Sequence, residues 1–310
     1  MMEEVKHFTS VQDLTKEEMM RILEKSETLK DKLAKGEPHE YVYGKTLGMI
    51  FAKPSTRTRL SFETGMTQLG GHAIYLGWDT LQLGRGETIS DTAKTLSGYV
   101  DIIMARIFEH ENLLELARNS TVPVINGLTD LLHPCQAVAD LFTIWEEKEK
   151  LSKLKLAYIG DGNNVCHSLL LGSAKMGMDI HVATPPGYEP NENIVEDAKT
   201  QGAKTETVVN IGRGPEEAAK DADVVYTDVI ASMGDEEERE QRLKDFQEYQ
   251  VTSQLMDNAA KDAIFMHCLP AHRGEEVSAE VIDGPQSVVF QQAQNRLHTE
   301  KAIIISLLGF

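Results

Sequence analysis

The segment Phe51-Ala-Lys-Pro-Ser-Thr-Arg-Thr-Arg-Leu-Ser-Phe-Glu63 decides how the whole chain is read. The apolar run that leads into it, Thr46-Leu-Gly-Met-Ile-Phe51, has the length and β-forming ends of a buried strand. Lys53-Pro54 stops that strand, because proline lacks a ladder donor and drives its predecessor out of helical space. Phe62, Met66 and Leu69 then recur on one helical face, and Gly70-Gly71 closes the pattern. Ser55 and Thr56 therefore stand at a helix start, with Arg57, Thr58 and Arg59 in its first turn. Two arginines there oppose the helix dipole. They make sense if an anion sits on that end, phosphate above all, since backbone N–H groups, hydroxyls and guanidinium forks converge on it. An ordinary hydroxyl cap with two solvated arginines is the plainer alternative.

The 310 residues suffice for two domains, and 41% hydrophobic with 26% charged residues is globular composition. Acidic residues number 49 against 31 basic, a formal charge of -18. A field of that sign repels nucleic acid and anionic membranes, which excludes both as partners. It also repels an anionic substrate, so a phosphate-binding enzyme must gather its arginines in one place. Cys135, Cys166 and Cys268 are an odd set without metal-ligand spacing, which points to a reducing compartment. The start Met-Met-Glu-Glu-Val-Lys-His has neither a signal-peptide core nor a transit pattern, and no stretch reaches the roughly 20 apolar residues of a membrane span. The expectation is a soluble, cytoplasmic protein.

Thr15-Lys-Glu-Glu18 has capping-box spacing and opens a helix that ends near Gly36. His72-Ala-Ile-Tyr-Leu76 reads as a strand, followed by the loop Trp78-Asp-Thr-Leu-Gln-Leu-Gly-Arg-Gly-Glu87, which Gly84 and Gly86 allow to extend. Further strands are predicted over 101–105 and 122–125, with helices from Ile89, over 112–118 and from Pro134. The second half repeats the alternation, with strands at 154–159, 180–183, 205–209, 224–227 and 263–266 and a helix over 168–176. Strand and helix alternating in this way predict an α/β fold with mostly parallel sheets flanked by helices. The acidic segment 235–248 reads as an exposed amphipathic helix. The last helix, 291–308, ends strongly apolar at Ile303-Ile-Ile-Ser-Leu-Leu308 and must dock on something large. The charged stretch 146–153 is the expected boundary, giving domains 1–148 and 149–290.

Three further constellations carry chemistry. Gly160-Asp-Gly-Asn-Asn164 follows a strand, but Val165 occupies the third glycine of a dinucleotide fingerprint, so Asn164 is read as a polar ligand group. His133-Pro134-Cys135-Gln136 opens a helix, with His133 and Gln136 on one face of its first turn; a structural helix start is the plainer reading. Asp228 closes a strand ahead of Ser232-Met233-Gly234, and Cys268-Leu269-Pro270 closes another. Asp228 as a helix cap and Cys268 as an inert small hydrophobe are the alternatives.

Taken together, Phe51-x-Lys53 with Ser55-Thr-Arg-Thr-Arg59, Gln82-Leu-Gly-Arg-Gly-Glu87, Met104-Ala-Arg106 and His133-Pro-x-Gln136 resemble the aspartate and ornithine carbamoyltransferases. Asp228-x-x-x-Ser-Met-Gly234 and His267-Cys-Leu-Pro270 resemble the ornithine-specific members. Ala52 and Ile230, often glutamate and tryptophan in that family, depart from the pattern without touching ligand positions. The resemblance implies two α/β domains, with the C-terminal helix 291–310 returning to the first, assembled as trimers or multiples of trimers with shared active sites. It implies that Ser55, Thr56, Arg57 and Thr58 hold phosphate, and that Arg106, His133, Pro134, Cys135, Gln136 and Arg296 surround carbamoyl phosphate. Gln82 would reach a neighbouring subunit's ligand. Cys268 and Leu269 would lie near the reacting centre, and Asn164, Asp228, Ser232 and Met233 would hold ornithine. Arg57, Arg106, His133 and Cys268 are the implied catalytic residues.

The implied reaction moves the carbamoyl group of carbamoyl phosphate to the δ-amine of L-ornithine, giving L-citrulline and phosphate, a step of arginine biosynthesis. Attack of a neutral amine on a carbonyl needs no cofactor or metal, only orientation and cations placed where charge develops. A carbamoyltransferase for another amine such as putrescine, or a non-catalytic phosphate-binding protein, are the alternatives.

Overall fold

Thr15 opens the first helix, α1 (Lys16–Ala34), through the capping box expected of it: its side chain accepts from the Glu18 N–H while Glu18 returns to the Thr15 N–H. Strand β1 (Thr46–Phe51) follows and is buried from Leu47 onward. The computed structural model describes residues 6–231 and 238–310. Next come α2 (Thr56–Gln68), β2 (His72–Gly77), α3 (Ile89–Ser97), β3 (Ile102–Arg106), α4 (His110–Asn119), β4 (Val124–Leu128) and α5 (Pro134–Lys148). The four strands form one parallel sheet in the order β2-β1-β3-β4. Ile50, Ile103, Leu113, Leu116 and Val124 are part of an apolar cluster in this unit.

The second sheet is built from β5 (Lys155–Ile159), α6 (Asn164–Met176), β6 (Asp179–Ala183), α7 (Glu192–Thr205), β7 (Val209–Gly212), α8 (Pro215–Ala219) and β8 (Val224–Thr227). The short helices α9 (Arg239–Asp245) and α10 (Ser253–Met256) lead to β9 (Ile264–His267), then α11 (Ala279–Ile282) and α12 (Val289–Leu307). Its five strands are again parallel, in the order β7-β6-β5-β8-β9. By packing, the chain divides into Met1–Phe142 with Gln294–Phe310, and Thr143–Ala293, so the divisions fall inside α5 and inside α12. Ile303, Ile304 and Ile305 on the far half of α12 are fully or almost fully buried in the first unit, which accounts for its apolar ending. No helix of the described residues is long and apolar enough to cross a membrane.

Both sheets have a switch point where the connections diverge, and ligands collect at the carboxyl ends of strands there. In the first unit it lies between β1 and β3, where Phe51 and Arg106 are register partners. In the second it lies between β5 and β8, where Tyr158 pairs with Tyr226. Ser55 and the start of α2 follow β1, Arg106 ends β3, Asn164 follows β5 and Asp228 follows β8, so part of the set singled out by sequence gathers at these strand ends.

The structure corrects several local expectations. The segment 78–87 does not extend: it winds into 3-10 turns at Trp78–Thr80 and Gln82–Arg85, closed by Gly86 in the left-handed region at φ 98. The strand expected over 205–209 starts at Val209, because α7 runs through Thr205 and is capped by Glu206 at φ 59. β4 begins after Pro123, which has no N–H to donate, and runs on to Leu128. Helix α6 starts earlier than expected because Asn163 caps it, accepting from the Val165 and Cys166 N–H groups. Of the acidic segment 235–248 only Arg239–Asp245 is α-helical, Gln247–Tyr249 forms a 3-10 turn, and 235–237 lie outside the described residues.

Candidate active site

In the first unit the phosphate-loop expectation meets a helix start of the expected kind. Ser55 is the N-cap of α2, extended at φ -156, and its hydroxyl accepts from the Thr58 N–H at 3.3 Å. The two arginines of that turn part company. Arg59 is exposed, pairs with Glu63 one turn on at 2.9 Å and lies 4.3 Å from the Tyr75 ring centroid. Arg57 is half-buried and lies near enough to His133 to affect its charge. Thr56 is exposed at the tip and Thr58 is fully buried.

Thr58 is held from an unexpected direction. Arg296, on α12, donates through Nη2 to Thr58 Oγ1 at 2.9 Å, and through Nη2 and Nε to Glu300 Oε1 at 2.9 and 3.2 Å. Glu300 is wholly buried, and desolvation raises its pKa even though Arg296 opposes the shift. A buried carboxylate bound to a guanidinium fixes that guanidinium in direction, an advantage for a group that must wait for its ligand. Arg106 is 7% exposed at the end of β3, and the Arg106 carbonyl accepts from the Ala52 N–H at 2.9 Å.

His133 precedes the first residue of α5 and is 5% exposed. Burial holds its pKa well below the usual imidazole value, and the charges of Arg296, Arg106 and Arg57 push the same way. It is therefore a neutral imidazole among cations. Gln136, one turn on, gives its amide nitrogen to Asp140 at 2.8 Å, which leaves Oε1 without a partner among the described residues. Cys135 turns its thiol to the Asn126 carbonyl at 3.3 Å, and burial raises its pKa, so its side chain belongs to the core. Pro134 starts the helix, and Gln82 is exposed on its 3-10 turn.

The second unit brings its own set together. Asp228, 5% exposed just beyond β8, accepts from Cys268 Sγ at 2.9 Å, from the Val229 N–H at 2.8 Å and from Asn163 Nδ2 at 2.8 Å. Asp228 therefore does not cap a helix. Asn164, the next residue after the Asn163 cap, is half-buried in the first turn of α6. Leu269 is half-buried at φ 58, a region that costs a non-glycine residue about 1–2 kcal/mol. Its N–H donates to His267 Nδ1 at 2.8 Å, and the His267 Nε2 nitrogen lies 3.3 Å from Glu276 Oε1. Ser232 and Met233 lie outside the described residues.

Sequence reading passed over Asn163, Glu276, Asp140 and Glu300, each of which orients a residue that it did single out. Asn163 stood in the quoted Gly-Asp-Gly-Asn-Asn turn; the others carried no local signal. Asp228, His267 and Cys268 present ligand atoms within 4.8 Å of one another, as do His272, Glu275 and Glu276. Both are types of group that bind divalent cations; within them Cys268 donates to Asp228, His267 Nδ1 accepts from the Leu269 N–H, and Glu275 pairs with Arg239. The first unit thus presents hydroxyls, arginines and a neutral imidazole suited to an anion with a carbonyl. The second presents a carboxylate, a thiol and amides suited to an ammonium-bearing ligand.

Comparison with known proteins gives matches along nearly the whole chain. Residues 6–146 match the family model for the carbamoyl-P binding domain of aspartate/ornithine carbamoyltransferase, and residues 152–307 match its Asp/Orn binding domain. The chain is 54% identical to the ornithine carbamoyltransferase of Archaeoglobus fulgidus over 305 residues, covering 98% of both chains. It is 56% identical over 303 residues to that of Anoxybacillus flavithermus, covering 98% of this chain and 96% of the relative. Among solved structures, the ornithine carbamoyltransferase of Pyrococcus furiosus superposes with a TM-score of 0.95 at 53% identity, covering 98% of this chain and 97% of that one.

Proposed function

The chain belongs to the aspartate/ornithine carbamoyltransferase family, and from that premise we propose that it transfers the carbamoyl group of carbamoyl phosphate to the δ-amine of L-ornithine, giving L-citrulline and inorganic phosphate. The observation that carries the choice of ornithine over aspartate is the pair of buried Asp228 and half-buried Cys268 at 2.9 Å. A carboxylate there attracts an ammonium group and repels the second carboxylate of aspartate.

Ser55, Thr56, Arg57 and Thr58 bind the phosphate through hydroxyls, backbone N–H groups and a guanidinium, and Arg106 adds a second fork. Gln82 of a neighbouring subunit completes that side in a homotrimer or a multiple of one. Thr58, His133 and Arg296 point donors at the carbonyl oxygen. His133, kept neutral, supplies an N–H there without adding a further charge. Gln136 Oε1, left open by Asp140, accepts from the carbamoyl NH2. Pro134, Cys135 and Leu269 serve as packing and backbone around that group.

At the other end Asp228 pairs with the α-ammonium of ornithine, and Asn164, Ser232 and Met233 hold its α-carboxylate and backbone. The δ-ammonium first gives up a proton, an equilibrium that Cys268 beside Asp228 can bias. The nitrogen lone pair then forms a C–N bond to the carbamoyl carbon. The tetrahedral intermediate places negative charge on the former carbonyl oxygen, where Thr58, His133 and Arg296 act. Its collapse breaks the C–O bond to phosphate, the amine's second proton passes to the leaving oxygen, and Arg57 and Arg106 neutralise the departing hydrogen phosphate dianion.

The test is a product assay with carbamoyl phosphate and a panel of L-ornithine, L-aspartate and putrescine. The reading expects citrulline and phosphate in equal amounts from ornithine. A preference for putrescine or aspartate, or no ureido product at all, would refute it.

A further inference from the structure

Arg242 lies on α9 and is 9% exposed. Its Nη1 donates both to Asp161 Oδ2 at 3.0 Å and to the Ile230 carbonyl at 3.1 Å. The Tyr188 ring lies 4.9 Å from its Cζ, and Glu238 approaches its Nε at 3.6 Å.

The two acceptors of Nη1 belong to separate stretches that meet at the amino-acid site. Asp161 lies in the turn after β5 that ends in Asn163, and Ile230 lies two residues beyond Asp228. Between them runs the Asn163–Asp228 hydrogen bond of 2.8 Å. One guanidinium thus spans both flanks of that bond. The turn is backed on its other side too: a Cβ at Gly162 would come within 2.3 Å of the Pro190 backbone nitrogen, and the Gly162 N–H donates to the Tyr188 carbonyl at 2.9 Å. A buried ion pair kept for stability alone is a poor investment, since apolar residues of similar volume often serve as well. A fork tying a side chain of one loop to the backbone of the next fixes a distance, which an apolar residue cannot do.

We propose that Arg242 is a positioning residue for ornithine: by clamping Asp161 to the Ile230 carbonyl it sets the Asn163–Asp228 geometry that receives the amino acid. The inference rests on the proposed activity. Both bonds leave one nitrogen, Nη1, so a lysine ammonium keeps the charge and the donors, but on a flexible stem that holds the two acceptors less firmly than the planar guanidinium does.

The experiment compares Arg242→Lys, Arg242→Gln, Asp161→Asn and the Arg242→Gln/Asp161→Asn double variant with the wild type. Ornithine KM, kcat, carbamoyl phosphate affinity and melting temperature are measured for each. Arg242→Gln should raise ornithine KM roughly tenfold or more, with kcat and carbamoyl phosphate affinity changed about twofold at most. Arg242→Lys should fall between it and the wild type. Asp161→Asn should reproduce much of the effect, and the double variant should be little worse than the worse single one, as for partners in one contact. In a further variant, Arg242→Ala, ornithine KM should rise likewise, and millimolar guanidinium should lower it again. A lowered melting temperature with ornithine KM unchanged, or KM rising equally for both substrates, would overturn the positioning role. A wild type that makes no citrulline would overturn the activity itself, and the inference with it.

Discussion

Arg57 and Arg59 look equivalent in sequence, yet their surroundings differ. Arg59 has Glu63 one turn ahead and the Tyr75 ring beside it, whereas Arg57 adds its charge to the surroundings of His133. Arg57→Ala should therefore abolish citrulline formation, while Arg59→Ala, a change at an exposed ion pair, should leave kcat/KM within a few-fold. Steady-state kinetics of the two variants decide it, and equal losses would mean that the assignment is wrong. Asp228 is the corresponding residue of the second unit. Putting an uncharged amide there removes the partner of an ammonium, so Asp228→Asn should raise ornithine KM by at least about tenfold, equivalent to roughly 1.4 kcal/mol. An unchanged ornithine KM would contradict its role. The residues legible in the sequence were those in short runs: a cap with arginines, a His-Pro pair, a strand-ending aspartate. Their supports were not. Asn163 and Asp228 stand 65 positions apart, and Arg296 and Thr58 stand 238 apart, so no local pattern could join them.

At the scale of elements, the strands and helices with strong periodicity and caps lay where the sequence put them, as in Thr46–Phe51 and the helix capped by Thr15. Errors gathered where the decisive feature was conformational. Glu206 in the left-handed region prolongs α7 at the expense of β7, and the turn at Gly86 coils a segment that composition alone leaves open. Helix α12 was read as apolar at its end, but its middle turns carry buried polar groups too. Lys301, fully buried, donates to Gln68 Oε1 at 2.9 Å and meets His39 Nε2 at 3.2 Å. Because the Glu37 carbonyl takes the His39 Nδ1 proton at 2.9 Å, Nε2 is the acceptor for the lysine. Desolvation lowers Lys301 to about 8, and it lowers His298 to about 3, with the Lys301, Lys30 and His39 charges adding to the latter. Both are bases whose folded-state pKa lies below the unfolded one, so the unfolded chain binds more protons and stability rises with pH through each window. For His298 that window runs from about 3 to the ordinary imidazole value of 6.5, and for Lys301 from about 8 to 10.5. His298→Leu should flatten the acid limb by about one proton, close to 1.4 kcal/mol per pH unit at its steepest. Chemical unfolding at a series of pH values between those limits tests this, and an unaltered slope would rule it out.

For the whole molecule, alternating strand and helix were enough to read two parallel α/β sheets, because burying both faces of a sheet demands that order. Assembly is implied only by the resemblance. The structure adds a physical reason to expect it: β2 is an edge strand with Ile74 and Tyr75 each 40% exposed, and such an edge invites cover. Light scattering should give a mass in multiples of three chains, and a fully active monomer would exclude a site completed by Gln82 of a neighbour. Against the net charge of -18, Arg57, Arg106 and Arg296 supply a local positive field around His133. The central claim is that each unit keeps its own substrate, anion in the first and amino acid in the second. Calorimetric titration of carbamoyl phosphate into Arg57→Ala and Asp228→Asn, side by side with the wild type, tests it most directly. The account predicts binding weakened by about 2–4 kcal/mol in Arg57→Ala and nearly normal in Asp228→Asn. Equal loss in both variants, or normal binding in Arg57→Ala, would contradict it.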